Sequence, residues 1–290
     1  MKDILHDISK KIDKQTLHLL TAINEKADSM GINYFIIGAV ARDILLHYEF
    51  GMPIERKTND IDFSIEVKSW DEFNSFVKEL KSDGLIEDTN IFHRYLFDKR
   101  SLIDIIPFGP IVNDHNEITW PDADNSKMTL LGFEESYNNS EQVIINHNPE
   151  IIIRFVSLDG LLMLKLLAWD DKYPSRRKDA QDIFYIISKY ISAGNLERLY
   201  DENSDLAELT PGTFDEKLLG ARLIGRDISK WIGRNTLHKI IEILNTQLSG
   251  NTTSKLVLDI MRNDVIREDY EKDYTYYFLI ISQLLNGLND

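Results

Sequence analysis

The periodicity of the apolar residues changes near residue 156, and this change constrains the fold more than any other feature of the chain. Before it, short runs rich in β-branched and aromatic residues, such as residues 33–37 and 102–106, are typical of strands. These runs alternate with segments whose apolar residues have helical spacing. After it, apolar residues recur only at helical spacing. We therefore expect an α+β protein, with a mixed β-sheet and flanking helices in residues 1–156 and an all-helical domain in residues 157–290.

Composition excludes several classes of protein. The 290 residues include no cysteine, which excludes disulfides, zinc–thiolate sites and a cysteine nucleophile. The net charge of −15, from 33 basic and 48 acidic residues, argues against a protein that coats DNA without sequence preference. The most apolar stretch, residues 161–169, is interrupted by Lys165 and is too short to span a bilayer. We expect a cytoplasmic protein without membrane contact.

Local patterns predict most elements of the N-terminal half. A helix is expected within residues 3–30, with Gly31 as its C-cap, and Ser69 is a predicted N-cap. Helices are predicted over residues 39–48 and 70–81, and strands over residues 33–37, 61–67, 91–97, 102–106, 142–145 and 151–155. A polar connection at residues 98–101 would join two of these strands. Residues 107–140 read mainly as loop.

Three aspartates in this half are candidate metal ligands. Asp60 and Asp62 are two residues apart, so on a strand their side chains project from the same face. An Asp-x-Asp pair alone is more often a solvated strand face. Asp104, however, lies within a second apolar run, where a merely solvated aspartate is unusual. Together the three carboxylates would supply oxygen ligands for two Mg²⁺ ions, or for Mn²⁺, and would serve phosphoryl or nucleotidyl transfer.

A glycine upstream of the carboxylates is suited to phosphate binding. Gly38 follows an apolar strand-like run and precedes a helix-like stretch. A glycine at such a turn lets backbone amides, including that of Ala39, approach a triphosphate near the positive end of a helix. Arg42, one turn into the helix, would contact a phosphate or brace the turn.

The helical half carries a charge in an apolar setting. Lys165 lies within residues 161–167, where a buried ammonium needs an acidic partner, a phosphate or a path to solvent. Asp179 and Asp182 share one face of a predicted helix and would bind a nucleotide or form ion pairs with Arg176 or Lys178.

These motifs resemble a known superfamily. Residues 38–43, followed by residues 56–62, are similar to the core of the DNA polymerase β-type nucleotidyltransferases. The resemblance implies that Asp60, Asp62 and Asp104 hold the metals, and that Gly38, Ala39, Arg42 and Thr58 belong to the nucleotide site. That superfamily usually has glycine or serine at the position of Ala39, which here offers only its backbone amide.

A second block narrows the resemblance. Residues 164–169 and 177–183 are similar to the lysine and Lys-Asp-x-x-Asp elements of AbiEii-type nucleotidyltransferases, the toxins of type IV toxin–antitoxin and phage-defence modules. By that resemblance Lys165 binds the triphosphate of an NTP such as ATP, CTP or GTP, with Asp182 beside it and Asp179 as the alternative. The implied acceptor is an RNA end, with tRNA as first candidate, and the implied protein partner is a cognate antitoxin.

Three alternatives remain open. A CCA-adding enzyme also has the Gly-x-x-x-Arg-Asp pattern followed by Asp-x-Asp, but its downstream base-selecting motifs are missing from this sequence. A nucleotidyltransferase acting on a small molecule, of the antibiotic-modifying kind, fits the same core. A catalytically inert binding module that keeps the fold is a further alternative, and the intact set of three aspartates argues against it.

Overall fold

The computed structural model describes residues 5–53, 60–121, 125–210, 213–250, 253–262 and 269–290. These residues form two compact units, Met1–Ser157 and Leu158–Asp290. The first unit contains all the strands of the described residues and the second contains only helices. The structure confirms the predicted α+β class.

The first unit is built on ten strands and four α-helices in its described residues. The strands are β1 (Leu5–Asp7), β2 (Tyr34–Ile37), β3 (Ile61–Glu66), β4 (Ile86–Asp88), β5 (Arg94–Phe97), β6 (Ser101–Phe108), β7 (Glu117–Thr119), β8 (Lys127–Thr129), β9 (Glu141–His147) and β10 (Glu150–Phe155). The helices are α1 (Lys14–Met30), α2 (Gly38–Asp43), α3 (Trp70–Ser82) and α4 (Phe133–Asn138). A π-helical turn, Ile44–Glu49, continues α2.

Eight of these strands form one mixed sheet in the order β1-β9-β10-β2-β3-β6-β5-β4. The central strand β3 pairs antiparallel with β2 and parallel with β6, and β5 pairs antiparallel with β6. The sheet core includes large aromatic side chains, and Phe35, Phe63 and Phe108 are completely or almost completely buried. Burying each such side chain contributes about 1.5–3 kcal/mol. This packing makes β3 and β6 a rigid base for their polar residues.

The N-terminal segment departs from its prediction. The helix predicted within residues 3–30 begins only at Lys14, where the Asp13 side chain accepts hydrogen bonds from two backbone amides of the first turn. Residues 5–7 form β1, which pairs with β9, a strand far along the chain. The predicted C-cap is confirmed, because Gly31 adopts the left-handed conformation with φ of +65°.

Other local predictions can be checked directly. Ser69 caps α3, since its Oγ accepts a hydrogen bond from the Glu72 amide at 3.3 Å. The predicted hairpin forms between β5 and β6, and its turn places Asp98 and Lys99 at positive φ. The loop prediction for residues 107–140 was incomplete, because that region contains the β7–β8 pair and α4.

The second unit contains seven α-helices in its described residues. They are α5 (Leu158–Asp171), α6 (Lys178–Lys189), α7 (Leu196–Asp201), α8 (Glu216–Trp231), α9 (Arg234–Leu248), α10 (Lys255–Ile260) and α11 (Tyr270–Leu288). Helices α8 and α11 approach each other closely. A Cβ added at Gly287 in α11 would lie only 2.1 Å from the carbonyl oxygen of Arg222 in α8. Within the described ranges, no helix is long and apolar enough to cross a membrane.

Candidate active site

Adjacent strands bring two of the predicted metal ligands into register. Asp62 on β3 pairs directly with Asp104 on the parallel strand β6. Residues paired in this way place their side chains on the same face of a sheet. Asp60 directly precedes β3, and both Asp60 and Asp62 are half-buried, whereas Asp104 is only 8% exposed. The described part of the chain thus gathers these carboxylates at the centre of the sheet.

Gly38 lies against this cluster. It starts α2 directly after β2, with φ of +74°, and a Cβ at this position would lie 1.9 Å from Asp62 Oδ2. No side chain can be accommodated there unless Asp62 moves. Gly38 therefore gives space to the Asp62 carboxylate, in addition to its predicted role at a phosphate.

Arg94 extends the row of polar side chains across the sheet. It is paired in register with Asp104 on the opposite side from Asp62. Arg94 Nε donates to Asp104 Oδ1 at 2.7 Å and Nη2 donates to Oδ2 at 2.6 Å. Hydrogen bonding to Asp104 raises the pKa of the guanidinium; burial opposes this effect, and the negative charges of Asp104, Asp60 and Asp62 add to it. One cation thus lies within the field of three carboxylates.

The donor set of this cluster fits Mg²⁺ in its chemistry, because Asp60, Asp62 and Asp104 offer only carboxylate oxygens and Gly38 leaves room for one of them. In the described ranges, however, no group of three or more His, Asp or Glu side chains is arranged to hold a metal ion. Both oxygens of Asp104 are instead bonded to Arg94.

The remaining predicted residues of the first unit lie nearby in sequence. Ala39 and Arg42 are buried in α2. Arg42 Nε and Nη2 both donate to Asp43 Oδ1, at 2.8 and 2.6 Å, so Arg42 is ion-paired within its own helix. Thr58 lies outside the described residues. The roles of these residues at a phosphate stay predictions.

In the second unit, Lys165 lies in a buried ion-pair network. Its Nζ donates to Asp182 Oδ2 at 2.6 Å and to Asp179 Oδ1 at 3.2 Å, and these three residues are only 5–6% exposed. Arg176 Nε donates to the other oxygen of Asp179 at 2.6 Å. Of the environments predicted for Lys165, the structure shows the acidic partner. The two carboxylates offset the cost of burying the Lys165 ammonium, and the half-exposed Arg176 adds a second cation beside Asp179.

A sequence model of the family described as "Nucleotidyl transferase AbiEii toxin, Type IV TA system" matches residues 38–275. The chain belongs to the AbiEii nucleotidyltransferase family. The resemblance drawn from the motifs is confirmed, and this member of the AbiEii family is a nucleotidyltransferase. No curated protein sequence matches the chain.

Solved nucleotidyltransferase structures are distantly similar to this AbiEii family member. The antibiotic-resistance factor ANT(2'')-Ia in solution has 16% identity over 68% of this chain and 97% of that chain, with a TM-score of 0.35. The lincosamide antibiotic adenylyltransferase LnuA, lincomycin-bound, has 16% identity, coverage of 60% and 98%, and a TM-score of 0.35. A CCA-adding enzyme in apo form I has 13% identity, coverage of 97% and 82%, and a TM-score of 0.33. At these TM-scores the likenesses carry no argument about activity.

Sequence reasoning missed Arg94. The predicted connection at residues 98–101 was one residue too long to show the pairing. In the structure Phe97 lies opposite Ser101, and this register places Arg94 opposite Asp104. A basic residue directly across from a candidate metal ligand is a cross-strand partner for it.

Proposed function

We propose that this AbiEii family member transfers a nucleoside monophosphate from an NTP to an RNA end in a Mg²⁺-dependent reaction. The observation that carries the proposal is the register pairing of Asp62 with Asp104 next to Gly38, which has no room for a side chain. Nucleotidyl transfer depends on rigidly held carboxylates and on close approach of the backbone to phosphates. The sheet provides the first and Gly38 supplies the second.

In the proposed site Asp60, Asp62 and Asp104 would hold two divalent ions, Mg²⁺ or Mn²⁺. When bound, such ions neutralise charge on the phosphates and activate the attacking hydroxyl. The acceptor hydroxyl oxygen forms a bond to the α-phosphorus while the bond from that phosphorus to the β-phosphate oxygen breaks. Asp104 either contacts the second ion or accepts the proton of the attacking hydroxyl, and pyrophosphate leaves.

The other predicted residues serve the triphosphate. The backbone amides at Gly38 and Ala39 donate to phosphate oxygens, and Arg42 and Thr58 complete that part of the site. Lys165 neutralises phosphate charge, and Asp179 and Asp182 hold its ammonium in place. The contacts that support the last of these roles are the hydrogen bonds of Lys165 Nζ to Asp182 and Asp179, two buried carboxylates.

A basic surface in the second unit supports an RNA acceptor. The Arg177 guanidinium carbon lies 5.2 Å and the Lys255 ammonium 4.9 Å from the centroid of the Tyr173 ring. Arg262 and Arg177 each approach the same oxygen of Asp259, at 3.8 and 3.7 Å. Asp259 thus faces two arginines, and Lys255 lies against the neighbouring Tyr173 ring, in a chain whose net charge is −15. Such a local excess of positive charge suits binding to a phosphate backbone, and we propose a tRNA end as the ligand of this surface.

The family assignment extends the proposal to the cell. An AbiEii toxin that modifies tRNA would act in the cytoplasm, where NTPs and tRNA are found, and would be held in check by a cognate antitoxin. Its role would be that of the toxin in a type IV toxin–antitoxin or phage-defence module. Co-expression with the product of the adjacent gene tests the partner: growth arrest by the chain alone and rescue by its neighbour are expected.

The catalytic proposal is tested by incubating the protein with each radiolabelled NTP, Mg²⁺ and total tRNA. The wild type is expected to label RNA, and an Asp60→Ala, Asp62→Ala double variant is not. Equal labelling by both proteins, or none by either, contradicts the proposal. Parallel reactions contain an aminoglycoside in place of RNA. If the aminoglycoside is labelled and RNA is not, the acceptor is a small molecule and not RNA.

A further inference from the structure

Arg94 engages the carboxylate that the proposed metal site requires. Its two hydrogen bonds to Asp104, at 2.7 and 2.6 Å, use both carboxylate oxygens. The pair is fixed by the sheet, because the two residues lie directly opposite each other on β5 and β6. A planar guanidinium that meets a carboxylate on two parallel bonds is a strong and directional partner.

The side of Asp104 on which Arg94 lies matters for metal binding. Asp62 lies on the β3 side of Asp104, and Arg94 lies on the β5 side. A metal ion shared by Asp62 and Asp104 needs an oxygen of Asp104 turned towards β3. Arg94 occupies one lone-pair site on each oxygen of Asp104. A metal ion at Asp104 therefore has to displace one of these bonds or bind next to a guanidinium whose positive charge repels it.

We propose that Arg94 competes with the divalent metal for Asp104, an inference that rests on the metal-dependent function proposed above. In the metal-free protein, Arg94 offsets the repulsion among Asp60, Asp62 and Asp104. When the metal binds, Asp104 exchanges the guanidinium for it. The Arg94 side chain is 30% exposed, against 12% for Asp104, so it has a route towards solvent. Arg94 therefore sets the metal concentration at which the carboxylate cluster becomes occupied.

The test is direct Mn²⁺ binding to the full chain, measured from the electron paramagnetic resonance signal of free Mn²⁺ without nucleotide or RNA. Arg94→Gln is expected to bind Mn²⁺ roughly 3- to 10-fold more tightly than the wild type, as befits the loss of one partly exposed bidentate ion pair. Arg94→Lys keeps the positive charge but loses the two parallel hydrogen bonds of the guanidinium, and its Mn²⁺ affinity is expected to lie between those of the other two proteins.

Thermal unfolding provides a second readout. In EDTA, Arg94→Gln is expected to have a lower Tm than the wild type, because the carboxylates lose their counter-ion. In saturating Mn²⁺ the difference in Tm between the two proteins is expected to narrow. Mn²⁺ is expected to bind folded Arg94→Gln more tightly than the folded wild type and therefore to stabilise it more. Lys81→Gln is the matched control: it removes a cation of the same unit that is paired with Asp88, and it should leave Mn²⁺ affinity unchanged.

The outcomes separate this inference from the proposed function. Unchanged Mn²⁺ affinity in Arg94→Gln overturns the competition. Weaker affinity also overturns it, and would make Arg94 a brace that positions Asp104. In both cases the metal site itself stands if Asp62→Asn abolishes the binding. If the wild type binds Mn²⁺ no better than Asp62→Asn, the metal-dependent function fails together with the inference.

Discussion

A Cβ at Gly38 would lie 1.9 Å from Oδ2 of Asp62, so the backbone of one residue and the carboxylate of the other occupy adjoining space at the centre of the site. Gly38 directly follows the strand β2, and Asp62 lies on its antiparallel neighbour β3. Gly38 belongs to the predicted phosphate-binding turn and Asp62 to the Asp-x-Asp pair, so the contact brings these two motifs together. Glycine is thus required at this position by the Asp62 side chain, and not only by its own positive φ.

Gly38→Ala is expected to reduce nucleotidyl transfer by at least about 100-fold, because Asp62 has to move by roughly an ångström to make room. The positive φ of +74° adds a stability cost of roughly 1–2 kcal/mol. Initial rates of RNA labelling and urea unfolding measure the two effects.

Gly31→Ala is the control for this change. Gly31 also has positive φ, at +65°, but no atom lies within 4 Å of the position of its Cβ. It should show a comparable loss of stability and keep its activity. If the two variants lose equal activity, backbone strain and not the contact with Asp62 explains the effect.

The elements of the site were predictable where the pattern is local. The apolar runs around Asp62 and Asp104 identify β3 and β6, because β-branched and aromatic residues favour a buried strand. That these two strands are neighbours was not predictable in the same way. Their pairing depends on the order of strands in the sheet, and α3 and the β4–β5 segment separate them in the chain.

The N-terminus shows the reverse case, in which a local pattern misled. Ile4, Ile8 and Ile12 have helical spacing, and Ile8 is completely buried, yet residues 5–7 form a strand. The pairing of β1 with residues 142–144 and the capping of α1 by Asp13 outweigh that spacing. A three-residue strand with a distant partner leaves no period of its own in the sequence.

Lys165→Met tests the buried network of the second unit. Removing the ammonium leaves Asp179 and Asp182 buried without it, which is expected to cost about 3–5 kcal/mol in the free energy of unfolding. Arg176→Gln removes a partner of the same Asp179, but its side chain is 51% exposed, so a loss below about 1 kcal/mol is expected. Urea unfolding of both variants checks the contrast. Equal losses would mean that burial does not govern the energetics of this network.

His6 predicts a pH dependence of stability. Its ring nitrogens lie 3.2 Å from Glu141 and 3.3 Å from Glu49. Burial is the largest single influence and lowers the pKa of His6, but the hydrogen bonds and charges of the two glutamates together outweigh it and raise the pKa above 6.5. The resulting stabilisation is fully present below pH 6.5 and is lost as the pH rises through the higher folded-state pKa.

His6→Gln is therefore expected to have a lower Tm than the wild type at pH 6, with a smaller difference at pH 8. His147→Gln is the control, because His147 also contacts a carboxylate, that of Asp7, but its side chain is 52% exposed. Thermal unfolding at the two pH values measures both differences. A gap for His6→Gln that widens as the pH rises would contradict a raised pKa of His6 in the folded protein.

The basic surface around Tyr173 predicts a salt-dependent defect in acceptor binding. Arg177 and Lys255 both approach this ring, and a double change to glutamine removes two cations without touching the carboxylate cluster. Binding of tRNA is expected to weaken, and the slope of log K against log salt to fall by about 0.7–0.9 for each phosphate that these cations no longer neutralise. Lys239→Gln is the control, since Asp170 and Glu242 already neutralise that cation. Filter binding between about 50 and 200 mM salt measures the slopes, and identical slopes in the double variant and the wild type would place the acceptor elsewhere.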